Sequence, residues 1–241
     1  MHRKLPGGGW SHGDAQFATE PTSWALLALR SLPRVVPALG DGFTRLMLHR
    51  QLDGLWPAAS EGAGVNFWAT ASAVNTLMMF AANLEACAAA LEAMLQRNPL
   101  EASWIVRLKF RFSDRKVRFD PTKYGWPWVP NTVSWVLPTS MVLIALERAK
   151  RRSLVGGREV ETRLRLGAEM LLDRACMGGG WNAGNAVVYG VPLRPHIDAT
   201  AIALAATGSS TTSRKRSAPR DEQGARPGRT AARDRGTHRQ D

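Results

Sequence analysis

Apolar and polar positions recur along the chain in a fixed order. Four stretches are almost continuously apolar, with small residues between the large ones: PTSWALLAL from Pro21, WATASAVNTLM from Trp68, PTSMVLIAL from Pro138 and ATAIALAA from Ala199. Apolar residues that cover most of a helix's circumference predict a helix enclosed by its neighbours. The pattern predicts buried helices over about 21–32, 67–82 and 137–149 and from about 197, with Asn66 as the cap of the second.

The segment after each of the first three buried helices carries charged residues beside its apolar ones. This pattern predicts amphipathic helices from Asp41-Gly42 to about Gln51, over about 84–97 and over about 158–175, with Pro33 and Pro37 ending the first buried helix. Alternation of an apolar helix with a more polar one is what the inner and outer rings of a helical barrel require. The chain is therefore predicted to be an all-α repeat protein.

A turn rich in glycine and closed by a tryptophan precedes each buried helix. The pairs are Gly9 with Trp10, Gly54 with Trp56, Gly125 with Trp126, and Gly180 with Trp181. Glycine permits a tight turn, and an indole supplies a large apolar surface for packing. These residues are therefore interpreted as structural turns whose tryptophans pack between neighbouring repeats.

Two segments depart from the helical repeat. Over 105–119, IVRLKFRFSDRKVRF, apolar residues alternate with basic ones around Ser113-Asp114, which predicts a small β-hairpin with one basic face. From Gly208 to Asp241 there is no Leu, Ile, Val, Met or aromatic residue, so this stretch is predicted to be a disordered basic tail after a domain of residues 1–207. Its abrupt start and Arg-rich bias suggest a shifted reading frame, hence a truncated chain.

The charge and the cysteines limit the functional classes. The net charge is +12, and residues 208–241 supply nine Lys or Arg against four Asp or Glu, so +5 lies in the tail and +7 in the rest. Nucleic-acid binding is therefore not the expected function. Two cysteines form no disulfide framework, and the first residues contain no apolar signal core. These features indicate a cytoplasmic protein, with peripheral membrane contact left open.

Three of these motifs resemble the squalene/hopene cyclase and prenyltransferase repeat superfamily. They are GGGWNAGN followed by RPHIDATAIAL, the DGLWP turn preceded by Gln51, and GWPWVPNTVSWVLPTSMVLIAL, and the resemblance covers about residues 7–206. It implies a terpenoid cyclase-like α/α toroid of helical hairpins around a central apolar cavity for a polyisoprenoid chain. The complete ring has about six hairpins, so about four repeats make an incomplete toroid.

Candidate ligand contacts lie at the starts of the buried helices. Trp24, Trp68 and Trp135 either pack in the core or line the cavity, where their π faces would stabilise a carbocation. The Asp-x-Asp-Asp motif of protonation-initiated cyclases is absent from the sequence. Asp198 stands alone in PHIDAT, as a helix-capping carboxylate or a general acid.

A zinc site is the other chemistry that the superfamily suggests. Cys176, His196 and Asp198 do not follow the order and spacing of the prenyltransferase zinc ligands. No metal and no cofactor are therefore expected.

Two functional interpretations remain. In the first, the chain is a squalene-cyclase-like or prenyltransferase-like toroid that handles an isoprenoid or other apolar ligand. The lack of an acidic cluster favours binding over cyclisation, and an active protein would be a terpenoid cyclase or a prenyltransferase. In the second, the toroid is a non-enzymatic scaffold whose basic surfaces contact anionic partners.

Overall fold

Helices make up most of the structure, a computed structural model that describes residues 3–13, 16–32, 36–59, 64–112 and 117–216. Within these ranges the helices are α1 (Thr19–Leu29), α2 (Val36–Leu48), α3 (Phe67–Met79), α4 (Leu84–Leu95), α5 (Trp104–Phe112), α6 (Val136–Arg151), α7 (Arg158–Asp173) and α8 (Ile197–Arg216).

Five two-residue strands are described beside the helices. Strand β1 (Arg3–Lys4) pairs antiparallel with β2 (Trp10–Ser11), and β4 (Val187–Val188) pairs antiparallel with both β3 (Val117–Arg118) and β5 (Val191–Pro192). Strands this short pair loop segments with one another and do not form a layer of their own. The predicted all-α class is confirmed.

The helices form two layers. Helices α1, α3, α6 and α8 pack side by side in that order as an inner arc. The outer helix α2 packs on α1, α4 on α3 and α6, and α7 on α6 and α8. Helix α4 thus covers the contact between α3 and α6, and α7 covers the contact between α6 and α8. This is the inner and outer arrangement of an α/α toroid.

Burial separates the two layers as predicted in the middle of the arc. The predicted enclosure is wrong for the end helices α1 and α8, where Trp24 is 40%, Leu204 56% and Ile197 92% exposed, because each packs against one inner helix and not two. Every residue of α3 from Phe67 to Met78 is buried. In α7 the buried positions recur every three or four residues on one side of the helix: Val160, Arg163, Leu164, Gly167, Met170 and Leu171. The predicted cap of α3 is also confirmed, because Asn66 Oδ1 accepts a hydrogen bond of 2.9 Å from the backbone N–H of Ala69.

A threonine in each inner helix is hydrogen-bonded to the backbone of the preceding turn tryptophan. The Trp N–H donates to the Thr Oγ1 at 2.9–3.0 Å, and the same hydroxyl donates to the Trp carbonyl at 3.1–3.3 Å. The four pairs are Trp10 with Thr22, Trp56 with Thr70, Trp126 with Thr139, and Trp181 with Thr200. These hydroxyls pair backbone groups that are buried too deeply to be hydrated.

The glycine before the tryptophan leaves room for this threonine. A Cβ on Gly125 would lie 2.3 Å from Thr139 Cγ2, and one on Gly180 would lie 2.8 Å from Thr200 Oγ1. Gly180 also has a φ of +73°, which is strained for other residues. In the second turn Leu55 precedes Trp56, and Gly54 supplies the positive φ of +85°.

The indole of the turn tryptophan joins one hairpin to the next. Trp56 Nε1 donates to the Leu46 carbonyl in α2 at 2.8 Å, Trp126 Nε1 to Met94 in α4 at 3.1 Å, and Trp181 Nε1 to Leu171 in α7 at 2.6 Å. Each acceptor lies in the last turn of an outer helix, where carbonyls lack a partner within the helix. The indole therefore caps an outer helix while its backbone holds the next inner helix.

A backbone hydrogen bond also links successive repeats. The first N–H of each of the first three inner helices donates to the carbonyl two residues after the next turn tryptophan. The bonds run from Thr19 to Ala58 at 3.0 Å, from Phe67 to Trp128 at 2.9 Å, and from Val136 to Ala183 at 3.0 Å. Ile197, at the same position of α8, is 92% exposed.

The predicted β-hairpin over 105–119 is wrong. Residues Trp104–Phe112 form helix α5, and Val117–Arg118 pairs with β4. The local pattern does not decide between strand and helix, because positions 104, 105, 108 and 112 also share one side of a helix. In the structure Phe110 lies against Phe119 with ring centroids 5.2 Å apart, while the neighbouring apolar side chains are exposed. Ser113 and Asp114 lie outside the described residues.

Two helix ends also differ from expectation. Helix α2 begins at Val36, so Pro37 lies in its first turn, where a missing N–H costs nothing. Helix α8 continues past Gly208 to Arg216, so the expectation of disorder from residue 208 is wrong over 208–216. A helix already nucleated by its first turns, in which Ala199, Ala203 and Ala206 are buried, extends through polar residues at low cost. Residues 217–241 lie outside the described part, and the division of the chain at 207/208 stays a prediction.

The hydroxyl of Thr70 is expected to contribute measurably to stability. Thr70→Val keeps the shape of the side chain but leaves the buried Trp56 N–H unpaired, so the free energy of unfolding should fall by about 1–3 kcal/mol. Urea denaturation followed by circular dichroism measures the change. Thr162→Val in α7 is the control, because its exposed hydroxyl bonds only the Arg158 carbonyl. Equal stability losses in the two variants would contradict the assigned role.

Candidate functional site

A cavity of about 350 Å³ lies among the four inner helices. Its volume falls within the range of small-molecule sites. Most of the lining surface is apolar, with small alanines contributed by α8. The large apolar side chains of the lining are Trp24, Leu27, Met79, Met141, Ile144 and Ile202.

The hydroxyl groups of the lining are hydrogen-bonded to helix carbonyls. Ser23 Oγ donates to the Thr19 carbonyl and Ser72 Oγ to the Trp68 carbonyl, both at 2.8 Å, and Thr76 Oγ1 donates to the Ser23 carbonyl at 3.3 Å. Because these hydroxyl donors are already hydrogen-bonded, a ligand need not provide acceptors for them. The body of the cavity therefore suits a hydrocarbon surface.

One end of the cavity is polar and cationic. Asn75 donates to the carbonyls of Ala71 and Met141, and Arg148 Nη1 donates to Asn75 Oδ1 at 3.0 Å and to the Asn75 carbonyl at 3.2 Å. Both side chains line the cavity. Burial lowers the pKa of the Arg148 guanidinium, and the positive charges of Arg152, Arg151 and Arg30 lower it further. An arginine keeps its charge at neutral pH, so this end of the cavity is positive.

The three candidate tryptophans occupy different surroundings. Trp24 lines the cavity and is 40% exposed. Trp68 is buried one turn below Ser72 on α3, with its ring centroid 5.5 Å from that of Trp128. Trp135 precedes α6 at its N-terminus and packs close to Gly184. Neither Trp68 nor Trp135 lines the cavity, so the structure brings only Trp24 to it.

Asp198, the candidate acid, lies in the first turn of α8. It is exposed, its Oδ1 accepts a hydrogen bond of 2.8 Å from the N–H of Ala199, and it does not line the cavity. His196 is exposed before the helix and donates its backbone N–H to the Trp181 carbonyl. Cys176 is buried in the last turn, where Asn182 Nδ2 lies 3.8 Å from its sulfur. Among the described residues, no group of three or more His, Cys, Asp or Glu side chains is placed to hold a metal ion.

Sequence reasoning missed the polar end of the cavity. Asn75 is the one amide in helix α3, whose other residues are apolar or carry a hydroxyl, and this isolated amide was the sequence signal for a polar site. Arg148 lies in the run ERAKRR, which is typical of a helix C-terminus whose cations face solvent. Only the packing of α6 against α3 brings Arg148 to Asn75.

Comparison with solved structures identifies similar folds. Protein geranylgeranyltransferase-I from Candida albicans, in a complex with GGPP, matches with a TM-score of 0.58 and 13% sequence identity over 88% of this chain and 54% of that one. A possible member of the GH105 family from Salmonella enterica serovar Paratyphi A matches with a TM-score of 0.57 and 10% identity over 88% of this chain and 62% of that one. The chain thus spans somewhat more than half of each neighbour.

These matches show the fold alone. The two proteins differ in kind, and at 13% and 10% identity neither decides what this chain does. The match to the apo type II terpene cyclase MstE from Scytonema covers 88% of this chain and 78% of that one at 12% identity. Its TM-score of 0.36 is too low to indicate a shared fold. No family model matches the sequence, and no curated protein matches it.

Cys87 is expected to be unreactive in the folded protein. It is fully buried in α4, and this burial raises the pKa of its thiol to about 11, against the lowering effect of Arg50 and Arg152. At pH 8 only about 0.1% of a thiol with such a pKa is thiolate, the reactive form. Ellman's reagent at pH 8 should therefore modify Cys87 only after the addition of guanidinium chloride. Cys87→Ser, which leaves Cys176 as the remaining thiol, assigns the signal; rapid labelling of native Cys87 would contradict its burial.

Proposed function

We propose that the chain binds an elongated apolar ligand of the isoprenoid class in the cavity among its inner helices. The observation that carries the proposal is the lining itself, which combines large flexible apolar side chains with hydroxyls already satisfied by helix carbonyls. Such a surface favours a hydrocarbon chain by the area it removes from water. A fold neighbour in a complex with GGPP supports the same ligand class.

The proposal is for binding and does not include cyclisation. A cyclisation started by protonation needs a general acid in contact with the substrate. The side chains that line the cavity include one ionisable group, and it is Arg148. Asp198 lies outside that lining, so its role as a general acid stays a sequence prediction.

Binding of a prenyl alcohol tests the proposal directly. Equilibrium dialysis with tritiated geranylgeraniol should show saturable binding, and Trp24→Ala should raise the Kd by about 10-fold because it removes apolar contact area worth about 1.4 kcal/mol. Trp104→Ala is the matched control, since this tryptophan is 69% exposed on α5 and does not line the cavity. Lack of binding by the wild-type chain, or equal weakening by both substitutions, would overturn the proposal.

We also propose that α5 contacts a membrane surface. Trp104, Ile105, Leu108 and Phe112 are exposed, and positions 104, 105, 108 and 112 share one side of a helix. The exposed cation Lys109 lies next to this side. An apolar stripe bordered by a cation is typical of a helix that lies in the plane of an anionic bilayer. Among the described helices none is both long and apolar enough to cross a membrane.

Vesicle binding tests the role of α5. The wild-type chain should co-sediment with vesicles of 70% phosphatidylcholine and 30% phosphatidylserine, and the Trp104→Ser/Leu108→Ser variant should bind at least about 10-fold more weakly, because it loses the insertion of two apolar side chains. Leu204→Ser, at a residue 56% exposed on α8, is the control. Undiminished co-sedimentation of the double variant would exclude α5 as the contact.

A further inference from the structure

Three arginines surround the end of the cavity at the C-terminus of α3. Arg148 lines the cavity and is bonded to Asn75, and Arg152 donates a short hydrogen bond to the Met78 carbonyl. Arg30, at the end of α1, lies with its guanidinium carbon 5.8 Å from the centre of the Phe80 ring. Residues 75 and 78 lie in the last turns of α3 and residue 80 follows its end, so the three cations reach the C-terminus of this helix from α1 and α6.

None of these three arginines forms an ion pair with a carboxylate in the part of the chain that the structure describes. The neighbouring Arg151 differs, because its Nη1 lies 4.0 Å from Glu147 Oε2. Burial is the main cause of the lowered pKa of Arg148, and the positive charges of Arg152, Arg151 and Arg30 lower it further. Among the described residues, the cavity end therefore has a positive charge that no carboxylate paired with these three arginines balances.

The carbonyls at the end of α3 account for only part of this charge. A helix C-terminus is equivalent to about half a negative charge, and Arg148 and Arg152 each use one N–H on its carbonyls. A guanidinium has five N–H groups arranged to hold two oxygens side by side. The cluster thus keeps both charge and hydrogen-bonding capacity for an oxyanion.

We propose that the ligand of the cavity is an amphiphile whose anionic head group is held by Arg148, Arg152 and Arg30 while its hydrocarbon chain lies against Trp24 and Ile144. This inference rests on the proposed function, because it places the apolar part of the ligand in the same cavity. The two requirements meet in Arg148, which belongs to the cavity lining and to the arginine cluster at once. An anion with a hydrocarbon chain matches both the apolar lining and the arginine cluster, whereas a free anion leaves the apolar lining in contact with water.

Matched ligands separate the head group from the chain. Equilibrium dialysis of the wild-type chain at 0.1 M salt compares geranylgeraniol, geranylgeranyl monophosphate and inorganic phosphate. The monophosphate should bind about 10-fold or more tightly than the alcohol, because charge-assisted hydrogen bonds to arginine add to the same apolar contacts. Inorganic phosphate should compete only at concentrations at least about 100-fold higher than the monophosphate, since it lacks the chain.

Variants of the arginines identify the groups that hold the anion. Arg148→Met should remove the preference for the monophosphate, so that the ratio of the Kd for the alcohol to the Kd for the monophosphate falls from about 10 to about 1. Arg30→Met should weaken monophosphate binding more than alcohol binding. Arg30 is exposed, and its side chain contacts the ring of Phe80, so the substitution should leave the fold intact. Arg165→Met, which removes an exposed arginine paired with Glu169 on α7, should change neither Kd.

The outcomes distinguish this inference from the proposed function. If the alcohol binds and the monophosphate binds no more tightly, the head-group site is wrong and the apolar site stands. If inorganic phosphate binds as tightly as the monophosphate, the cluster is a site for free anions and the amphiphile is excluded. If neither prenyl compound binds, both the proposed function and this inference fail.

Discussion

The hydrogen-bonded pair of a turn tryptophan and a helix threonine is the constraint on which this architecture depends. The backbone N–H and carbonyl of each turn tryptophan are buried, and buried backbone groups must be paired. One threonine hydroxyl satisfies both groups, because it accepts from the N–H and donates to the carbonyl. The start of each inner helix is thereby joined to a turn that is distant in sequence.

The position of the cavity follows from this pairing. The tryptophan indole binds the end of the preceding outer helix, and the first N–H of each of the first three inner helices binds the next turn. Successive inner helices are therefore held in parallel with their N-termini near the turns. Their later turns then face one another, and Trp24, Asn75, Ile144 and Ile202 meet there around the cavity.

The third turn shows how the constraint is met where the repeat is interrupted. In the other three turns a backbone N–H binds the carbonyl of the residue before the tryptophan, as Cys176 does with Gly180 at 2.9 Å. At the third turn Arg163 donates to the Gly125 carbonyl at 3.1 Å instead, and its guanidinium lies 4.2 Å from the centre of the Trp126 ring. A side chain from α7 thus replaces a backbone contact, so the inserted segment that contains α5 does not disturb α6.

The sequence by itself determined the order of inner and outer helices, the four turns and the cap at Asn66. It could do so because each depends on the period of apolar residues and on small motifs that are local in the chain. The local pattern was insufficient to decide the secondary structure of residues 104–112. Apolar and basic residues alternate there as in a strand, but the segment is a helix, and its Phe110 contacts Phe119. The cavity was decided by tertiary structure for the same reason. Whether Trp24, Trp68 or Trp135 reaches it, and whether Arg148 meets Asn75, depends on the relative placement of helices far apart in sequence, and that placement comes from the packing of whole helix surfaces.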